Sequence, residues 1–233
     1  MKYDLFDIGT NRGEYTLNYL GKNPDSNVVC VEPNPKLYER LKSTLPEKVS
    51  ILNLALSENE GQIEFYECIE DDTVSTVSKV FLEQSCFSTS SKIMANGKMF
   101  KDHYNYRDPI TVKTTTLDKI IETYGNPELI KIDVEGHELE VLKGLTKKSG
   151  KITFEWHETF KDRIIECVRH LHGIGYEKFG TPIWESSSNY HDGEIPDSDY
   201  LSIEEFISYF SEKIDNVSGE KTWVERSGMI WVK

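Results

Sequence analysis

Residues 3–16 read Tyr3-Asp4-Leu5-Phe6-Asp7-Ile8-Gly9-Thr10-Asn11-Arg12-Gly13-Glu14-Tyr15-Thr16, and their reading decides the fold. A short apolar-rich run, Tyr3 to Ile8, meets a glycine and then a polar turn. Glu14 to Leu20 follows as a short helix, stopped at Gly21-Lys22-Asn23-Pro24. Glycines at a strand-to-helix turn let the backbone bend sharply and let a ligand come close. The helix that follows offers amide groups to negative charge. The dinucleotide fingerprint has three glycines spaced GxGxxG. Here Gly9 and Gly13 are spaced GxxxG, which argues against a standard NAD site.

Outward from that turn the same alternation continues. Val28-Val29-Cys30-Val31 is a buried-strand run that ends in Glu32. Asn34-Pro35 opens a helix, with Asn as the cap and Pro in the first turn. Leu37, Leu41 and Leu45 repeat along its inner face until Pro46. Val49 to Leu56 reads as a third strand. Strand, helix, strand, helix, strand is the pattern of a parallel sheet with crossover helices, an α/β fold of the doubly wound kind. In such folds an acid ending the second strand accepts hydrogen bonds from ribose hydroxyls. Glu32 stands there, and with the glycine turn it makes one nucleoside-binding unit.

Further on, Gln62 to Tyr66 alternates like a strand, and Ile110-Thr111-Val112 resumes one. Between them lies a polar stretch rich in Ser and Thr, and residues 61–112 read as an insertion that serves as a substrate lid or a plain surface loop. Thr115-x-x-Asp118 resembles a capping box before a helical stripe of Leu117, Ile120, Ile121 and Tyr124. Leu129 to Val134 is a buried strand ending in acids, followed by a helix marked by Leu139, Leu142 and Leu145. Lys151 to Trp156 is a strand. Phe160, Ile164, Val168 and Leu171 mark the next helix, and Tyr176 to Phe179 a short strand. Residues 181–226 form an excursion with one helix, capped by Ser202 and Glu205. Met229 to Val232 is a final strand. With no linker and no repeat, residues 1–233 read as a single domain.

Composition narrows the function classes. The chain has 233 residues and a net charge of −13. That charge repels nucleic acid and anionic membranes at long range, so neither is an expected partner. No apolar stretch is long enough to span a bilayer, and the first residues, Met1 to Phe6, do not read as a signal peptide. The four cysteines, Cys30, Cys68, Cys86 and Cys167, form no metal-binding spacing. They read as thiols of a reducing compartment, and the expected location is the cytoplasm.

The segments Asp7 to Thr16, Val31-Glu32-Pro33-Asn34-Pro35, Ala55-Leu56-Ser57, Thr115-Thr116-Leu117-Asp118 and Ile130-Lys131-Ile132-Asp133-Val134-Glu135-Gly136-His137-Glu138 occur in this order. Together they resemble the FkbM family of S-adenosylmethionine-dependent O-methyltransferases, over about residues 4 to 160. The resemblance implies a Rossmann-like, seven-stranded, mostly parallel sheet with an antiparallel last strand and helices on both faces. It implies methylation of a hydroxyl, most often on a sugar or polyketide. It also implies cofactor contacts: the amides of Gly9, Asn11 and Gly13 at the carboxylate of S-adenosylmethionine, Glu32 at the ribose, Asp7 and Asp133 near its cationic groups, and Leu56 and Ser57 near the adenine. The family usually carries an extension before the glycine turn; here the first strand begins almost at Met1, as in a minimal member or a module of a longer polypeptide.

Methyl transfer to an aliphatic hydroxyl calls for alignment and a base. The candidates cluster at two strand ends: Asp133, Glu135 and His137 after one, Glu155, His157 and Glu158 after the next. His157 is the preferred base because an imidazole titrates near neutrality; His137 and Asp133 come next. If a Mg²⁺ ion takes part, Asp133, Glu135 and Glu158 are the expected oxygen ligands. Trp156, Trp184, Tyr190, Tyr104 and Tyr106 are the aromatic residues available for stacking on a sugar. The rival functions are an NAD- or nucleotide-sugar-binding oxidoreductase or epimerase, and a catalytically silent binding module of the same fold.

Overall fold

A computed structural model describes residues 3–91, 93–94, 97–181, 195–216 and 227–233. The expected sheet is the one observed. Strands β1 (Leu5–Ile8), β2 (Val28–Val31), β3 (Ser50–Leu52), β7 (Leu129–Ile132), β8 (Lys151–His157), β9 (Phe179–Gly180) and β10 (Ser227–Val232) form one seven-stranded sheet in the order β3-β2-β1-β7-β8-β10-β9. All neighbours from β3 to β8 run parallel, and β10 runs antiparallel to both β8 and β9. The chain order reverses between β1 and β7, which opens a crevice at the carboxyl ends of those strands.

Strand alternation assigns the two faces. Phe6, Ile8, Val29 and Val31 join one core with α5 (Leu117–Tyr124), α6 (Glu138–Lys143), α7 (Lys161–Gly173) and α8 (Ile203–Asn216). Leu5, Val28 and Cys30 point the other way, toward Leu20 of α1 (Glu14–Lys22) and Leu41 of α2 (Pro35–Thr44). Both faces are therefore covered, and β1 and β2 are buried along their whole length.

Caps fix the helix starts. Asn34 Oδ1 accepts from Lys36 N, with Pro35 in the first turn of α2. At α8 the Ser202 amide donates to Glu205 and the Glu205 amide donates back to Ser202 Oγ. The cap of α5 is Thr116 rather than Thr115, because Thr116 Oγ1 is the acceptor for Lys119 N. Thr115 still belongs to a strand.

Two expected strands differ in extent. Val49 to Leu56 divides: β3 stays in the main sheet, while β4 (Ala55–Leu56) leaves it and pairs with β6 (Ile110–Thr115). β6 also pairs with β5 (Gly61–Phe65), giving a separate three-stranded sheet. The break falls at Asn53, whose side-chain amide donates to the carbonyls of Glu32 and Pro33 and turns the chain. The segment expected as Tyr176–Phe179 is instead a buried Tyr176 followed by β9; the Tyr176 hydroxyl donates to Ser149 O.

The chain between β5 and β6 holds α3 (Lys79–Gln84) and α4 (Cys86–Thr89) and packs on its own aromatic cluster. Phe81, Phe87, Tyr104 and Tyr106 gather there with Phe160. Tyr104 and Tyr106 are thus part of this small core. Trp156 is buried and packs edge-on against Phe210. Trp184 and Tyr190 lie outside the described residues.

Candidate functional site

The crevice at the reversal point is a cavity of about 330 Å³. Its floor is the glycine turn. Gly9 has φ +78°, and a Cβ there would sit 1.7 Å from the carbonyl oxygen of Asp133. Only glycine lets β1 and β7 end this close together. Gly13, at φ +85°, faces Leu41 and Leu45 behind the turn and does not line the cavity.

The amides of the turn are already engaged. Gly9 N and Thr10 N donate to Val31 O, Asn11 N to Glu32 Oε2, Arg12 N to Asn11 Oδ1 and Gly13 N to Thr10 O. These are the amides expected to meet a ligand carboxylate, and here each is bonded within the chain. The turn uses its donors to hold its own shape and to orient Glu32. The next residues along form the first turn of α1. Glu14 and Tyr15 of that turn line the cavity.

Glu32 is 4% exposed. Its Oε1 accepts from Asn34 N and its Oε2 from Asn11 N, each at 2.8 Å. Burial pushes its carboxyl up to about 7, against the pull of these two amides. The carboxylate is thus rigidly presented, and each oxygen keeps acceptor capacity for a ligand hydroxyl. Leu56 and Leu37 give the same end of the cavity an apolar wall.

Asp7 lies elsewhere. It is fully buried on the α1 face, accepts from Thr16 Oγ1 at 2.6 Å and pairs with Lys131 Nζ at 3.3 Å. The parallel register sets Asp7 beside Lys131 on the neighbouring strand. Lys131 also reaches Asp133 at 3.3 Å and the Gly9 carbonyl at 3.0 Å. Burial would lower its pKa, but Asp133 and Asp7 more than reverse that and hold the ammonium charged. Lys131 is a buried, ion-paired residue of the cavity wall that sequence reasoning passed over. A lysine between Ile130 and Ile132 in a buried strand is the signal, since a buried cation needs a partner.

The other end of the cavity is built from the turn after β7 and the end of β8. Glu135 takes a left-handed φ of 53° and Gly136 one of 87°. A glutamate held so is strained, and three contacts hold it. Thr76 Oγ1 donates to Glu135 O at 2.7 Å, and Glu138 Oε1 accepts from Val134 N and Gly136 N. Phe81 closes over Gly136, where a Cβ would come within 2.9 Å of it.

Glu155 and His157 are two residues apart on β8 and share a face. His157 Nε2 lies 3.0 Å from Glu155 Oε2 and 3.4 Å from Glu135 Oε2. Burial alone would lower the histidine's pKa, yet the two carboxylates raise it well above the usual imidazole range. Burial, with the charges of Asp133 and Glu138, pushes Glu135 up to about 7, and burial, with the charges of Asp133 and Glu135, raises Glu155 well above the usual carboxylate range, against the pull of His157 on both. Glu135 and Glu155 line the cavity, whereas His157 sits behind them between Phe81 and Phe160.

His137 is a cavity residue with both ring nitrogens in use. Nε2 meets Ser57 Oγ at 3.2 Å and Nδ1 faces Glu140 at 3.5 Å. Burial lowers its pKa, so the ring is neutral near pH 7. Ser57 serves His137 and is not part of the cavity wall. Asp133 lines the cavity and is tied to Lys131. The set Asp133, Glu135 and Glu158 is not assembled. The ligand-type atoms that do converge, within 4.8 Å of one another, belong to Glu135, Glu155 and His157.

The insertion crosses the cavity mouth. Asn11 Nδ2 donates to Asp72 O, and Arg12 pairs with the Asp72 carboxylate at 3.0 Å. Asp72, Thr73, Ser75, Thr76 and Val77 contribute to the wall. Among the described residues no helix is long and apolar enough to cross a membrane.

Residues 7–178 match the family model described as the methyltransferase FkbM domain. A protein of Haloferax volcanii named hexuronic acid methyltransferase AglP is 31% identical over 155 residues, which make up 64% of this chain and 53% of that protein. The chain thus matches about half the length of that relative. The 2-O-methyltransferase NoeI of Sinorhizobium fredii is 24% identical over 174 residues, 73% of this chain and 68% of that protein. Among solved structures, a precorrin-6y C5,15-methyltransferase from Geobacter metallireducens aligns with a TM-score of 0.42 at 10% identity, covering 100% of this chain and 78% of that one.

Proposed function

The chain belongs to the FkbM methyltransferase family, and from that premise we propose that it moves a methyl group from S-adenosylmethionine to a hydroxyl of a saccharide. The observation that carries this reading is Glu32, a buried carboxylate fixed by two backbone amides and turned toward the cavity. A ribose offers two adjacent hydroxyl donors to those two oxygens. Leu37 and Leu56 suit the adenine, and the first turn of α1, with Arg12, suits the methionine carboxylate. The acids at the far end, Asp133, Glu135 and Glu155, suit a ligand that carries sulfonium and ammonium charge.

The transfer is an in-line displacement at the methyl carbon. Its acceleration comes mainly from holding oxygen, carbon and sulfur in line. The segment from Asp72 to Val77 excludes water from the cavity and acts as the lid of the insertion. The saccharide is favoured as acceptor by the two relatives, whose names specify a hexuronic acid and a 2-O position. Magnesium forms no part of this reading. The cytoplasm is the proposed location, where the four cysteines, all free, stay reduced.

Calorimetric titration tests the reading. S-adenosylmethionine and S-adenosylhomocysteine are expected to bind with micromolar affinity, and NAD and uridine diphosphate sugars not to bind. Stabilisation by NAD with no response to either sulfur compound would establish the oxidoreductase alternative instead.

A further inference from the structure

Three electron-pair donors converge on one point at the end of the cavity. His157 Nε2 lies 3.0 Å from Glu155 Oε2 and 3.4 Å from Glu135 Oε2, and the three ligand-type atoms fall within 4.8 Å of one another. A cation that takes nitrogen and oxygen ligands holds them at about 2.0–2.2 Å. Ligands at that radius stand about 3.0 Å apart around an octahedron and about 3.4 Å apart around a tetrahedron. The two spacings to His157 are those of ligands that share one ion.

A second observation points to the same place. Glu135 Oε2, the oxygen that faces His157, is buried and accepts no hydrogen bond among the described residues. A buried carboxylate oxygen left so is costly unless something from outside the chain completes it. The frame around it is fixed in advance. Thr76 and Glu138 hold the turn that carries Glu135, and Glu155 and His157 stand on one face of β8. His157 is 5% exposed and closes the site from behind, whereas Glu135 and Glu155 line the cavity. An ion held by these three groups is gripped by the chain on one side and open to the cavity on the other.

We propose that Glu135, Glu155 and His157 form a binding site for one divalent first-row transition-metal ion, of the Mn²⁺ kind, whose open positions receive the hydroxyl oxygen of the acceptor. The role at the acceptor rests on the methyltransferase reading above; the ion site rests on the side chains alone. One imidazole beside two carboxylates suits Mn²⁺, which accepts nitrogen as well as oxygen. Magnesium prefers oxygen ligands and retained water, and suits this set less. The two carboxylates neutralise the ion, and Asp133, which shares Lys131 with Asp7, remains for the sulfonium of the donor. The rival arrangement is a closed network of ion pairs that binds nothing.

Electron paramagnetic resonance on chelator-treated protein decides between them, with the free ion counted as Mn²⁺ is added. One bound ion per chain is expected. Glu135→Gln and His157→Gln are each expected to weaken binding at least about tenfold. Glu158→Gln removes an acid outside the cluster and is expected to leave affinity within about threefold. In pulsed spectra the bound ion is expected to couple to an imidazole nitrogen, and the coupling to disappear in His157→Gln. Bound Mn²⁺ is also expected to speed the relaxation of solvent water protons, because its cavity-facing positions carry exchangeable water. Absence of binding would overturn the site, as would equal losses in Glu158→Gln and Glu135→Gln, a bound ion with no nitrogen coupling, or its displacement by an equal concentration of Mg²⁺. A bound ion with no effect on solvent protons would overturn the acceptor role. If the variants do not fold, the nitrogen coupling and the water relaxation of the unaltered protein decide by themselves. Titrating the same samples with S-adenosylhomocysteine keeps the two readings apart. S-adenosylhomocysteine bound without Mn²⁺ would overturn the ion site alone. Mn²⁺ bound without S-adenosylhomocysteine would defeat the methyltransferase reading and the acceptor role with it.

Discussion

The two ends of the cavity are built by different means. At the Glu32 end, rigidity comes from the backbone: amides of residues 9–13 close on neighbouring carbonyls and on one carboxylate. At the Glu155 end, order comes from side-chain charge, with Glu135, Glu155 and His157 balanced against one another under Phe81. Backbone cradles fix position. Charge clusters store protons and respond to what binds. The first end suits recognition of an invariant part of a ligand, the second suits chemistry.

The contrast is broken most severely at the seam between the two ends. Gly9→Ala would force a Cβ into the Asp133 carbonyl at a left-handed φ. It is expected to cost at least about 4 kcal/mol of stability, read as a fall in the urea midpoint. A loss under 1 kcal/mol would mean that β1 and β7 do not approach as described. Lys131→Met leaves the buried Asp7 and the half-buried Asp133 without this cation, and is expected to cost about 3–5 kcal/mol. Its partner test, Lys131→Arg, should lose less if charge rather than shape is what matters.

These two residues also show how much of the molecule was legible in the sequence. The glycine turn, Glu32 and the Asn34-Pro35 cap are local: each is a few adjacent residues whose types dictate their own geometry. The sheet followed from strand and helix periodicity. Lys131 was passed over because its partners, Asp7 and Asp133, meet it through strand register rather than through nearby sequence. His157 was legible as a histidine at a strand end, but not its place behind Glu155. That depends on Phe81, which comes from an insertion 76 residues earlier in the chain. The departure of β4 from the main sheet turned on one Asn53 side chain, which no periodicity reveals.

A smaller change sharpens the comparison from the Glu32 end. Glu32→Gln keeps one acceptor oxygen and loses the other. It is expected to weaken S-adenosylhomocysteine by about 1–3 kcal/mol in calorimetry. Unchanged affinity would remove the ribose from that position. Both ends contribute to the pH dependence of the unliganded protein. Glu32, Glu135 and Glu138 titrate near 7 in the folded chain because burial disfavours their charge. Unfolded glutamates titrate near 4.3. Between those values the folded state binds more protons, so their contribution to stability is complete below the unfolded value and is lost as pH rises through 7. Raised His157 acts in the same direction above pH 6.5, and lowered His137 opposes it. The unliganded protein is expected to melt a few degrees lower at pH 8 than at pH 5.5, and S-adenosylmethionine is expected to shift the melt more at pH 8. A melt that rises with pH over this range would show that these acids are not desolvated.

The most direct measurement is a crystal structure with S-adenosylhomocysteine bound. The account predicts both ribose hydroxyls within hydrogen-bonding distance of Glu32 and the thioether sulfur directed toward the Glu135–Glu155 wall. A ribose placed away from Glu32, or a sulfur at the Leu56 end of the cavity, would contradict it.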